Sequence, residues 1–136
     1  MELQAPLFGH DLNVERTAAR DGANAAAERA SRAHRGWHTR ALSFFVDFLA
    51  TCEHSFMTED IRQAATAAGL PEPPDCRAWG AVTQVLADKG VIRRIGYGPQ
   101  KSAGCHAAPK SIWRKGNAKA LRKYAEEVAE KMRAFS

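Results

Sequence analysis

Three groups of side chains in this 136-residue chain have types and spacing that suggest chemistry. The first is cationic. Lys89, Arg93, Arg94, Lys101, Lys110, Arg114, Lys115, Lys119, Arg122 and Lys123 fall in one stretch with no Asp or Glu among them. They are half of the 20 Lys and Arg residues, in about a quarter of the length. Such a run suits a polyanion, because each cation set against a phosphate releases a condensed counterion. The overall balance of +5 and the pI near 9.4 add little, since many basic proteins bind nothing in particular.

The second group is Arg77, Gly80, Ala81 and Gln84, spaced three and four apart, with Asp88 four beyond Gln84. On a helix these residues share a face. Arg bonds guanine and Gln bonds adenine bidentately in a major groove, and small residues between them let a backbone approach the duplex. The third group is Cys52, His54, Cys76, Cys105 and His106. Cys52-x-His54 and the adjacent Cys105-His106 are too tight for the spacing of a structural zinc site. Neighbours on one loop do not orient each other as nucleophile and base. Glu59 and Asp60 read as the first turn of a helix, and no Gly-rich phosphate loop of the Walker or dinucleotide type occurs. The sequence predicts no metal, no cofactor and no catalytic centre.

The elements that must position the first two groups follow from periodicity. Residues 1–13 read as a loose arm. Val14 to about His34 is rich in Ala, Arg and Glu and reads as a polar or Ala-faced helix that Gly22 threatens to break. After Gly36, Trp37, Ala41, Phe44, Phe45, Phe48 and Leu49 recur at helical spacing as a dense apolar stripe. Phe56 then sits as a staple before Thr58, the predicted cap of a short helix whose buried face is Ile61, Ala64, Ala65 and Ala68. Pro71, Pro73 and Pro74 stiffen the next turn. Asp75 caps a third helix that buries Ala78, Val82, Val85 and Leu86, carries Trp79 at its edge and ends at Gly90. Val91 to Ile95 and Ser111 to Arg114 read as paired strands around a Gly- and Lys-containing loop. A final helix runs from about Asn117 to Ala134, with Leu121, Tyr124, Ala125, Val128 and Met132 as its seam.

This order predicts a mainly α protein with a small β-hairpin: a winged helix-turn-helix core over 37–114, an N-terminal arm and helix over 1–36, and a basic C-terminal helix over 115–136. The third helix is then the expected reading head, with Arg77, Gly80, Ala81 and Gln84 outward. Arg93, Arg94, Lys101, Ser102, Lys110 and Lys115 are the expected phosphate contacts of the wing and the region after it. Three cysteines without paired spacing argue against a disulfide framework and fit a reducing cytoplasm. No apolar run approaches the ~18–20 residues that span a bilayer.

Leu70-Pro-Glu-Pro-Pro74, Arg77-Ala-Trp-Gly-Ala81, Gly90-Val-Ile-Arg-Arg94 and Ile112-Trp-Arg114 together resemble small winged-helix proteins of bacteriophage and prophage genomes. The resemblance covers Phe56 to Arg114 and implies fold and DNA binding. The expected function is non-enzymatic binding of double-stranded DNA in transcription regulation or replication. The alternative is a winged-helix module that binds a host protein or nucleoprotein complex. In either case the terminal helices are the candidate homodimer surfaces.

Overall fold

The computed structural model describes residues 4–99 and 110–134, with side chains from Thr17 onward. Five helices and one antiparallel hairpin follow in the order α1 (Gln4–Ala33), α2 (Trp37–Thr51), α3 (Thr58–Ala67), α4 (Ala78–Asp88), β1 (Ile92–Gly98), β2 (Lys110–Lys115) and α5 (Ala118–Arg133). The protein is mainly helical with a small two-stranded sheet. Among the described residues no helix is long and apolar enough to cross a membrane.

The core forms where the apolar stripes of α2, α3 and α4 meet. Trp37, Ala41, Leu42, Phe45 and Leu49 of α2 are buried with Ile61 and Ala65 of α3 and with Trp79, Val82 and Leu86 of α4. Phe44 and Phe48 lie at its margin, half-buried. Trp37 and Trp79 meet edge to face, with ring centroids 5.2 Å apart, in the geometry that aromatic quadrupoles favour. The Trp37 indole also donates to the Pro71 carbonyl at 2.9 Å, which ties the proline turn to the start of α2.

Phe56 closes the core from below. Its ring stands edge-on to both Phe45 and Phe48 at 5.8 Å. Its backbone exchanges two hydrogen bonds with Trp113, at 2.9 and 2.8 Å, and so forms a one-residue third strand beside β2. The cap of α3 lies one residue earlier than expected. Asp60 accepts from the Met57 N–H at 2.8 Å, while the Thr58 hydroxyl pairs with Thr83 of α4 at 3.0 Å.

The two termini depart most from the sequence reading. Helix α1 begins at Gln4 and continues through Gly22 without a break, in place of a loose arm. Ala26, Ala27 and Ala30 are buried, and α1 packs chiefly on α4 and less extensively on α2. Helix α5, capped by Asn117 through its bonds to the Lys119 and Ala120 N–H groups, packs on α2. Gly90, after α4, and Gly116, after β2, meet at the base of the hairpin. Gly90 has a φ of 76°, and its carbonyl accepts from Asn117 at 3.1 Å. A Cβ on Gly116 would lie 2.4 Å from that same carbonyl, so no other residue fits without moving backbone.

Two substitutions test this account in denaturant titrations. Phe45→Ala, at a fully buried position, is expected to cost ~3–5 kcal/mol, and Phe48→Ala distinctly less. Gly116→Ala is expected to cost ~1–3 kcal/mol, as overpacking against backbone does.

Candidate nucleic-acid interface

Helix α1 covers only part of the face of α4 expected to read DNA: Ala81 is buried, whereas Arg77 and Gly80 are exposed and Gln84 half-buried, and these three line an open cleft. The two helices are antiparallel, with Arg20 3.5 Å from Asp88 at one end and Arg29 3.1 Å from Asp75 at the other. Ala81, expected outward, is only 3% exposed. Gly80 keeps some exposure, but a Cβ there would sit 3.8 Å from Ala23. Small residues on both helices make this approach possible, and the alanine-rich segment that looked too polar to pack supplies one side of it.

The two long side chains of that face are engaged within the protein. Arg77 forks onto Asp75, with Nε 3.0 Å from Oδ2 and 3.2 Å from Oδ1, and Nη2 2.6 Å from Oδ2. Gln84 donates to Asp88 at 2.8 Å. Asp75 and Asp88 thus hold Arg77, Arg29 and Arg20 in ion pairs at the two ends of the face. Asp75 has a further role. Its Oδ1 accepts from the Arg77 N–H at 2.9 Å, and its carbonyl accepts from Ala78 at 3.0 Å, so it heads the turn that leads into α4. These bonds from Arg77, with the charge of Arg29 added, hold the Asp75 carboxyl down at about 2.

The hairpin is different. Its register pairs Ile92 with Lys115, Arg93 with Arg114 and Arg94 with Trp113, then shifts so that Gly96 faces Ile112. Ile95 is the extra residue of a β-bulge, which explains the imperfect alternation in the sequence. Arg93 and Arg114 are exposed and directly opposite each other, an arrangement of like charges that destabilises a free hairpin. Arg94 lies 4.8 Å above the ring of buried Trp113 and 5.4 Å from that of Tyr97, and its Nε donates to Ser111 at 2.8 Å. Trp113 thus acts as a floor for the exposed Arg94 guanidinium.

The other expected contacts divide. Lys110 is half-buried at the start of β2, and Lys101 and Ser102 lie outside the described residues. Lys115 is half-buried and 3.6 Å from Glu53, an exposed pair of little energetic weight. Lys89 sits 3.8 Å from Glu127 and 5.4 Å from the Tyr124 ring, so it belongs to the α5 contact. Arg93 and Arg94 have no carboxylate within ion-pair distance among the described residues. Sequence reasoning passed over Tyr97 and Ser111, because the bulge hid which residues share a face with Arg94.

A cleft of ≈ 500 Å³ opens between α1, the start of α3, α4 and β2, walled by Ala23, Met57, Trp79 and Trp113 with Arg62 and Lys110 at its polar edge. Among the described residues no group of three or more His, Cys, Asp or Glu is placed to hold a metal ion. Cys52 is a free, half-buried thiol that donates to the His54 carbonyl at 3.2 Å. Cys76 is disulfide-bonded, where the sequence argued against a disulfide framework. The chain matches no protein-family model and no curated protein.

Two outcomes follow from this geometry. Ala81→Glu is expected to unfold or strongly destabilise the protein, seen as a lowered thermal midpoint, because the carboxylate would be buried against α1 without a partner. The depressed Asp75 carboxyl contributes stability that is fully present above its unfolded value of 3.8 and is lost as pH falls towards about 2. Asp75→Asn should flatten the stability profile over that window in acid titrations.

Proposed function

We propose that residues 37–114 form a winged helix-turn-helix core and that the chain is a non-enzymatic double-stranded DNA-binding protein that grips the duplex through its hairpin. The order of α2, the single-residue strand at Phe56, α3, α4 and the hairpin supports the first part. The second rests on one observation: Arg93 and Arg114 stand exposed and opposite each other on one face of the hairpin and Arg94 on the other, with no carboxylate set against Arg93 or Arg94 among the described residues. Such a cluster costs the free protein stability and repays it when phosphate lies across it. Helix α4 stays partly behind α1 in this reading and leaves base recognition to the wing.

The test is a salt series with duplex DNA. Neutralising Arg93, Arg94 and Arg114 together should lower the log–log salt slope by about 2.7, at roughly 0.9 for each phosphate left without its cation. Arg77→Ala and Gln84→Ala should leave affinity unchanged. If those two weaken binding and the hairpin variants do not, α1 must move aside and α4 is the reading head.

A second reading has its own support. The outer face of α4 already makes a helix-on-helix protein contact, as an interaction module's would. Absence of duplex binding at ~50 mM salt, where phosphate contacts are strong, would select that reading.

A further inference from the structure

The open cleft beside α4 is used by neither reading of the function. At ≈ 500 Å³ it falls within the ~300–1,000 Å³ of sites that bury a small organic ligand. Helices α1, α3 and α4 and strand β2 all contribute to it, so packing between elements shapes it rather than one loop. Its walls are apolar: Trp79 of α4, Trp113 of β2, Met57 ahead of α3, and Ala19 and Ala23 of α1. The hydroxyls and the amide that share these walls are already bonded within the protein. Thr58 pairs with Thr83, Gln84 donates to Asp88, and Ser111 accepts from Arg94. A sugar or a base would find few free partners here, whereas an apolar body loses nothing by entering.

The charged groups at the edge of the cleft are not equivalent. Arg77 is held by Asp75, and Arg62 lies 3.4 Å from Glu72. Lys110 is half-buried and has no carboxylate within ion-pair distance among the described residues. An ammonium partly removed from water and left without a counter-ion favours an anion beside it. Two indoles and a thioether in the walls favour an aromatic body. We propose that the cleft binds a small aromatic anion, with its rings against Trp79, Trp113 and Met57 and its single carboxylate at the Lys110 ammonium. This site stands apart from the way the hairpin meets DNA.

The full chain is titrated calorimetrically with 2-naphthoate, with 2-naphthylmethanol, which has the same rings without the charge, and with acetate, which has the charge without the rings. Naphthoate is expected to bind once per chain and ~10-fold more tightly than the alcohol, the effect of one charge-assisted bond, and acetate to give no binding heat. Lys110→Met should bring naphthoate down to the affinity of the alcohol and leave the alcohol unchanged, while Lys110→Arg should keep the preference for the acid. Ala19→Phe adds a ring at an exposed position of the cleft wall, so it should weaken both naphthyl probes while its thermal melt matches the parent. No binding of either naphthyl probe overturns the site. Equal affinity for acid and alcohol in the parent, or a preference that survives in Lys110→Met, overturns the assignment of Lys110. Several molecules bound per chain, indifferent to Ala19→Phe, mean general adsorption to apolar surface and also overturn it. None of these results alters the salt series with duplex DNA, so the two readings fail separately.

Discussion

The edge-to-face contact between Trp37 and Trp79 is the point on which the remaining structure depends. Trp37 opens α2 and Trp79 lies in the first turn of α4, so one contact fixes where two helices begin relative to each other. The bond from Trp37 to the Pro71 carbonyl adds the turn between α3 and α4 to the same point. With three prolines in that turn, the chain has few conformations to lose on folding, and its path is largely settled before packing begins. Trp79 meets this demand at some expense, since its own indole N–H is buried without a partner among the described residues.

Once α4 is held in this way, its two sides have different fates. One side enters the core through Val82 and Leu86. The other is partly covered by α1 through contacts of small residues, with ion pairs at the two ends. Alanine–glycine contacts bury little area per residue, and exposed pairs contribute ~0–1 kcal/mol each, so the seam gains its strength from close approach along its length. Ala81 on that side has become part of an internal interface, while Arg93, Arg94 and Arg114 of the hairpin stay exposed.

The core helices were legible from sequence because apolar spacing reports burial directly. The stripe of α2, the staple at Phe56, the proline turn, the start of the last helix near Asn117 and the seam of α5 lie close to where their residues implied. The hairpin was legible in position but not in register. A bulge adds one residue to one strand, and a period of two cannot reveal which residue is extra. The role of α1 was hidden for another reason. Ala23, Ala26, Ala27 and Ala30 do recur at helical spacing, but alanine is found equally in exposed helices, so the pattern carries no sign of burial. Ala81 followed from the same ambiguity: a small residue is read as outward until the partner that covers it is known.

The Arg93–Arg114 pair gives the free protein and any anion complex opposite responses to electrolyte. In the free hairpin the two guanidiniums repel across the ladder, and salt, with a screening length of ~8 Å at physiological strength, relieves that repulsion. Bound phosphate would do the same work as salt, but with specific placement. Dilute buffer would therefore leave the isolated hairpin at its most strained and its most receptive, whereas concentrated salt would give a calmer strand pair with less reason to bind. The two strands pair through their backbones and repel through their side chains, a tension that an anion laid between the guanidiniums would relieve.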